Sequence, residues 1–197
     1  MNGATGRVRT FVALSVLAGT LLPLRRDRIG RREQGAFRAV NGLPDPLFRP
    51  LWTVMQLGAL GAAPATAGAA LLARNRPLAA RLVTGGTVAW ALAKVVKRLV
   101  RRGRPSMLLA SVRCRGREAS GLGYLSGHAA VATALTAAAY PHLGGRGRRV
   151  ALVLASLVGL SRIYVGAHLP LDVAGGAALG LLVDGASATV RRRGEPG

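Results

Sequence analysis

The stretch L-W-T-V-M-Q-L-G-A-L-G-A-A-P-A-T-A-G-A-A-L-L-A at Leu51–Ala73 decides the fold. It runs for 23 residues without a charged side chain, and an α-helix needs roughly 20 apolar residues to cross a bilayer. Trp52 stands near one end, where an indole ring suits the membrane surface. Pro64 predicts a kink or local break, which membrane helices tolerate. The stretch therefore predicts a transmembrane helix.

The composition extends this prediction to the whole chain. Half of the 197 residues are hydrophobic, and they come in blocks rather than alternating with polar residues. The net charge of +21 would suit nucleic acid, but the basic residues lie in short clusters between apolar blocks and aromatic residues make up only 4%. Such clusters meet anionic lipid headgroups. We expect no nucleic-acid partner and, with Cys114 as the single cysteine, no internal disulfide.

Further apolar blocks predict an all-α fold, a polytopic membrane helix bundle of about six transmembrane helices. We interpret the first block, Thr10–Leu24, as a retained helix, because no small-residue cleavage site is evident before Arg25 and Arg26. The later spans run from Leu78 through Trp90, from Ala129 to Leu143, from Val150 to Arg162, and from Leu169 to the residue before Arg191. We divide the chain into an N-terminal helix and connector (residues 1–50), a core (51–190) and a basic tail (191–197).

The polar region Arg25–Pro50 connects the first two spans. Phe37 and Val40 belong to a spacing that allows a short amphipathic helix at the membrane interface before Pro44 and Pro46 end it. A solvated connector explains the same residues equally well.

The segment S-R-I-Y-V-G-A-H-L-P-L-D at Ser161–Asp172 carries the first chemical cluster. If a helix resumes after the Gly166 region, the i, i+4 spacing of His168 and Asp172 puts both side chains on one helix face. A carboxylate that holds one imidazole nitrogen leaves the other free to attack. The alternative is a helix cap and a satisfied polar pair near a helix end.

The end of the third span, K-R-L-V-R-R-G-R-P at Lys97–Pro105, is the second cluster. Only two of the chain's 28 basic residues are lysines, so Lys97 departs from the chain's own preference. Lys97 and Arg104 could hold a phosphate, the arginine through its planar fork and the lysine as a point charge. Alternatively, this is a basic helix end, extended by Arg98, Arg101 and Arg102, that meets lipid phosphate.

The third cluster is L-S-G-H at Leu125–His128, which opens the fourth span. Ser126 and Gly127 occupy a helix N-cap, where a hydroxyl and free backbone N–H groups would point at one anion. His128 follows in the first turn, beside that anion site. An interfacial histidine in contact with lipid is the alternative. Because successive spans alternate in direction, all three clusters fall on one side of the membrane.

Two other polar residues lie outside these clusters. His142 follows Pro141 and is expected to be a solvated turn residue without chemistry. Asp184 lies 12 residues beyond Asp172, about 18 Å along a helix that rises about 1.5 Å per residue. We therefore expect it near the opposite surface, in a local pair with a basic turn.

The three segments Lys97–Pro105, Ser126–His128 and Ser161–Asp172 together resemble the tripartite signature of the type 2 phosphatidic acid phosphatase family. This family is also called the lipid phosphate phosphatases, and it shares its site with vanadium haloperoxidases. The order and spacing match, and the resemblance covers roughly Leu51–Val190. One position departs, because Leu125 stands where the family usually has proline, and a lost proline would loosen the start of the helix.

The resemblance implies a role for each site residue. His168 would attack phosphorus to form a phosphohistidine, with Asp172 orienting it, and His128 would protonate the leaving oxygen and then activate water. The phosphoryl oxygens would be held by Lys97, Arg104, Ser126, Gly127 and Arg162. The seven acidic residues are scattered and offer no cluster for Mg²⁺, so we expect metal-independent hydrolysis without a cofactor.

A site at the surface of a membrane bundle suits a phosphorylated lipid substrate in the cell membrane. Isoprenoid diphosphates, phosphatidic acid, phosphatidylglycerophosphate and a polyprenyl-phosphosugar phosphate are all compatible. The arginine distribution alone would turn the site toward the cytoplasm, whereas the resemblance implies an outward-facing site in bacteria, which we favour. The alternatives are a vanadate-binding haloperoxidase and a non-catalytic protein, either an anionic-lipid-binding membrane protein or a transporter.

Overall fold

The computed structural model describes residues 3–22, 24, 29–117 and 119–194. Pro23, Arg25 and Arg26 at the predicted end of the first span, and residues 195–197 at the end of the basic tail, lie outside the described residues. Within them, we find helices and no strand. The helices are α1 (Gly3–Leu21), α2 (Arg31–Asn41), α3 (Phe48–Met55), α4 (Ala62–Leu72), α5 (Arg76–Val100), α6 (Pro105–Leu108), α7 (Gly127–Ala139), α8 (Gly145–Tyr164) and α9 (Pro170–Gly194).

Helix α7 is the centre of the bundle and packs against α5, α8 and α9. Its buried face consists mostly of alanine, with Val131 and Leu135 as its largest members. Small side chains let neighbouring helices approach closely, which is how helices associate when the surroundings are as apolar as the residues themselves. The alanine-rich sequence of α7 thus accounts for its central position.

Two glycines set the distance between α7 and α9. A Cβ atom added at Gly176 would lie 2.3 Å from the carbonyl oxygen of Ser126, and one added at Gly180 would lie 2.4 Å from that of Ala130. Both distances are far below van der Waals contact, so only glycine allows this crossing. The start of α9, including Asp172, is thereby held against the start of α7.

The residues of the predicted second span form two helices, and the break between them does not lie at Pro64. The predicted kink or break at Pro64 is therefore wrong. The segments Asp45–Gly58 and Ala62–Leu72 meet at 72°, and Pro64 lies in the first turn of α4, where proline costs little. The first segment ends at Gly58, where the chain lies so close to α7 that a Cβ would be 2.6 Å from the carbonyl oxygen of His128. The break therefore lies where this segment packs on α7, and a glycine allows that contact.

Among the described residues, the stretch Arg76–Leu108 is long and apolar enough by itself to cross a membrane, and the bent pair of helices forms a second span if it is counted as one. Helix α7 is short at 13 residues, and α8 begins with several arginines. The six predicted spans correspond to α1, the α3–α4 pair, α5, α7, α8 and α9.

Asp184 is almost completely buried and pairs with two arginines. Its carboxylate lies 2.6 Å from Arg9 and also contacts Arg81. These partners come from α1 and α5 rather than from a basic turn, so the expected origin of the partner is wrong, although pairing itself is confirmed. His142 is exposed and lies 3.3 Å from the side chain of Asn75.

The connector contains the helix α2, which packs on α8 and α9. Phe37 and Asn41 are buried on its inner face. The amide nitrogen of Asn41 donates to the carbonyl oxygens of Arg113 and Tyr164, both at 2.9 Å. Helix α2 therefore fastens the loop after α6 to the end of α8, next to the residues predicted to form the site.

Candidate active site

His168 and Asp172 meet where α8 ends and α9 begins. Because α9 starts at Pro170, His168 lies before this helix, and the prediction that both residues share one helix face is wrong. Asp172 is fully buried in the first turn of α9, and its Oδ2 lies 3.6 Å from His168 Nδ1. The same oxygen accepts a hydrogen bond of 2.8 Å from the backbone N–H of Leu169. The carboxylate therefore both caps the helix and faces the imidazole, so the two interpretations of this pair are compatible.

The imidazole of His168 is buried and makes no hydrogen bond through Nδ1 among the described residues. Burial, together with the nearby positive charges of Lys97 and Arg162, lowers the pKa of His168 to about 3, while Asp172 opposes the shift. The ring is therefore neutral at physiological pH. A neutral ring keeps the lone pair that an attacking nitrogen requires.

Asp172 has a second partner that the sequence motifs did not reveal. Arg102 donates to Asp172 Oδ1 at 2.8 Å, and it forms a two-pronged pair with Glu33 at 3.1 and 2.7 Å. Glu33 also accepts from the backbone N–H of Leu171 at 3.1 Å. Arg102 thus supports the candidate active site, and the interpretation that it meets lipid phosphate is wrong.

Lys97 and Arg104 hold the loop that precedes α7. Lys97 Nζ donates to the carbonyl oxygens of Leu122 and Gly123 at 3.1 and 3.0 Å. Arg104 Nε donates to the carbonyl oxygens of Ser120 at 2.9 Å and of the following residue at 3.1 Å. A lysine has three donors and an arginine has five, so each side chain retains capacity for an anion.

Arg104 also connects the second cluster to the first. Its Nη1 donates to the carbonyl oxygen of Ala167 at 2.8 Å, directly before His168. The backbone N–H of Ser126 donates to the carbonyl oxygen of Asp172, also at 2.8 Å. These two hydrogen bonds tie the three predicted clusters together at one end of the bundle.

Ser126 is the N-cap of α7, as its sequence context predicts. It is fully buried, and its hydroxyl accepts from the backbone N–H of Ala129 at 3.4 Å. The N–H groups of Gly127 and His128 belong to the first turn, where the helix itself offers no acceptor. His128 is partly buried in that turn.

Arg162 reaches the site from the last turn of α8. Its Nη1 lies 3.0 Å from the sulfur of Met55, and its Nε is buried without a hydrogen-bond partner in the described part of the chain. A charged group without an acceptor in a buried position is costly. Arg162 is therefore well placed for an anion that supplies the missing acceptor.

The chain was also compared with known proteins. The model of the PAP2 superfamily matches residues 78–194. The chain is 40% identical over 116 residues to decaprenylphosphoryl-5-phosphoribose phosphatase of Mycobacterium tuberculosis, in both strain CDC 1551 / Oshkosh and strain H37Rv. This match covers 59% of the chain and 63% of the relative, so less than two thirds of the relative's length is matched.

Two solved structures share the fold. The transmembrane PAP2 type phosphatidylglycerolphosphate phosphatase from Bacillus subtilis is 22% identical with a TM-score of 0.68, over 93% of this chain and 97% of that one. Aquifex aeolicus LpxE is 22% identical with a TM-score of 0.67, over 79% and 94%. These likenesses confirm the predicted all-α, polytopic membrane bundle.

Proposed function

The chain belongs to the PAP2 superfamily, and from this membership and the site geometry we propose that it is a membrane-embedded, metal-independent phosphatase. It hydrolyses a lipid phosphate or an isoprenoid diphosphate through a phosphohistidine intermediate. The observation that carries this proposal is the buried His168, which faces Asp172 at 3.6 Å and is surrounded by cationic side chains.

His168 is the nucleophile in this reaction. Its Nε2, the ring nitrogen that does not face Asp172, attacks phosphorus as the bond between phosphorus and the leaving oxygen breaks. His128, which takes up a proton when the anionic substrate binds beside it, gives that proton to the leaving oxygen. Asp172 keeps the imidazole oriented and balances the positive charge that develops on it.

Water completes the cycle. His128, now neutral, takes a proton from a water molecule, and the water oxygen attacks the phosphorus. The phosphorus–nitrogen bond breaks, which releases inorganic phosphate and restores neutral His168. His128 ends the cycle protonated, as it began, so protons balance.

The remaining site residues bind the phosphoryl oxygens. Lys97, Arg104 and Arg162 supply positive charge, and Ser126 and Gly127 supply hydroxyl and backbone N–H donors at the start of α7. Fixed donors in a buried site stabilise the charge that spreads over these oxygens in the transition state. This stabilisation requires no metal ion, which is why we propose a metal-independent reaction.

The substrate is amphiphilic, because the site lies at one end of a membrane bundle. Its phosphorylated headgroup enters the polar end while its apolar tail remains in the bilayer. The named relative is a phosphatase of a decaprenylphosphoryl compound, which supports a polyprenyl tail as one candidate. We place the protein in the cell membrane with its site on the outer face.

The test is phosphate release by the purified full-length protein in detergent with EDTA. Wild type, His168→Ala and His142→Ala are compared on a polyprenyl diphosphate, phosphatidic acid and phosphatidylglycerophosphate. His142 is the matched control, because it is exposed. We expect release by wild type and His142→Ala and none by His168→Ala. Equal release by His168→Ala would refute the mechanism and favour a non-catalytic lipid-binding protein.

A further inference from the structure

A cavity of about 230 Å³ adjoins the active site. Arg162 lines it, as does the segment Val165–Ala167, which directly precedes His168. Ser106, which follows the phosphate-binding Arg104 by two residues, forms another part of the wall. The cavity therefore begins where the predicted phosphate site ends, and Arg162 belongs to both.

The charged residues that line this cavity in the described part of the chain are all arginines. Its lining residues within the described chain include Arg115, Arg117 and Arg162 and no acidic residue. The guanidinium of Arg115 already has partners within the protein. It pairs with Asp45 at 2.8 Å and donates to the backbone carbonyls of Asn41 and Tyr164.

Arg117 and Arg162 have no carboxylate partner among the described residues. Arg117 is exposed on the rim, whereas the Nε of Arg162 is buried without an acceptor. An arginine presents five donors in one plane. Arg162 therefore retains unsatisfied donors at the place where the predicted phosphate site meets the cavity.

The size and remaining walls of the cavity indicate what part of a ligand it takes. Pockets for complete drug-sized ligands measure about 300–1,000 Å³, so about 230 Å³ accommodates a fragment of a lipid. Trp52 and Gln56 line the side formed by α3. An aromatic face, an amide and two cations suit a polar headgroup rather than an apolar tail.

We infer that this cavity is a subsite for a second anionic group, a phosphate or phosphodiester, that lies next to the phosphoryl group removed at His168. The inference rests on the proposed function and narrows its substrate class. Lipids with a diphosphate, or with a phosphodiester beside the terminal phosphate, are favoured over lipids with a single phosphate.

Arg117→Ala tests this subsite, and Arg98→Ala is the control with the same loss of charge. Arg98 is exposed at the end of α5 and does not line the cavity. The substrates are a polyprenyl monophosphate and the diphosphate with the same tail. We expect Arg117→Ala to lower kcat/KM for the diphosphate about tenfold, mainly through KM, as the loss of one charge-assisted hydrogen bond would. The loss on the monophosphate should be smaller than threefold, and Arg98→Ala should match wild type.

A second readout does not depend on catalysis. Thermal shifts with inorganic pyrophosphate and inorganic phosphate distinguish an anion pair from a single anion. Arg117→Ala should weaken stabilisation by pyrophosphate more than stabilisation by phosphate. Equal effects on both anions, or on both lipids, would overturn the subsite. Absence of all lipid hydrolysis in wild type would instead refute the proposed function, while the anion data would still decide the subsite.

Discussion

Arg102 joins two buried carboxylates, and removing its guanidinium tests how strongly the active site depends on α2. The side chains of Arg102, Glu33 and Asp172 are 10%, 7% and 0% exposed. In Arg102→Ala, both carboxylates lose their arginine. Breaking a buried pair by removing one partner costs about 3–5 kcal/mol, because an uncompensated charge remains.

The cost should fall near the lower end of that range. Glu33 still accepts from the backbone N–H of Leu171, and Asp172 still accepts from that of Leu169. We therefore expect a loss of about 3 kcal/mol in the free energy of unfolding.

The catalytic effect should be separate from the loss of stability. Without Arg102, Oδ1 of Asp172 loses its partner, and the carboxylate can shift relative to His168 while the N–H of Leu169 still holds Oδ2. A misplacement of about 1 Å can lower a rate about 100-fold, which corresponds to about 2.7 kcal/mol at about 1.36 kcal/mol per factor of ten. We expect kcat to fall about 100-fold with KM little changed, because Arg102 is a positioning residue.

The assays are phosphate release in detergent and thermal unfolding followed by the fluorescence of Trp52 and Trp90. Arg98→Ala is the control for lost charge. Arg102→Lys should recover part of the stability and little of the rate, because an ammonium group cannot bridge two carboxylates with a planar fork. Wild-type kcat and thermal stability in Arg102→Ala would refute this reasoning.

Two further predictions follow from packing and from charge. Gly180→Ala should lose about 1–3 kcal/mol of stability, since its Cβ would overlap the carbonyl of Ala130 on α7. The control is Gly68→Ala, because Gly68 has open space around it. Equal melting temperatures of the two variants would contradict the packing argument. Because burial lowers the pKa of His168 to about 3, the stability that this residue contributes is complete above about pH 6.5 and is lost as the pH falls toward 3, by up to about 1.4 kcal/mol per pH unit. Melting curves of wild type and His168→Gln between pH 4 and 7 measure this difference, and parallel curves would show that burial of the imidazole is not coupled to folding.

Much of the fold was predictable because the length of an apolar block can be counted directly. The ends of α5 and the N-cap Ser126 agree with the sequence pattern for the same local reason. The break at Gly58 was not predictable, because it depends on how close α7 lies to this glycine. Pro64 was the stronger local signal, but proline in the first turn of a helix causes no break.

The predicted site residues lie in three contiguous motifs, which is why sequence patterns found them. The pair of Glu33 and Arg102 was not predicted, because the two residues lie 69 positions apart in the chain. In the sequence, each resembles an ordinary surface charge. One signal was available. Only seven acidic residues occur in a chain with a net charge of +21, so a carboxylate within reach of so many arginines is a candidate for a buried pair.

The position of Leu125 shows how a departure from the family pattern can be compensated elsewhere. Leu125 is fully buried, and so is its neighbour Tyr124, whose hydroxyl lies 2.8 Å from that of Thr20 on α1. On the other side, the backbone of Ser126 is bonded to that of Asp172 on α9. Two other helices, α1 and α9, therefore fix the segment at which α7 begins. A proline at position 125 would stiffen the same segment locally. Helix α1 lies outside all three motifs, yet through Thr20 it helps to support the segment that contains Ser126, the N-cap of α7.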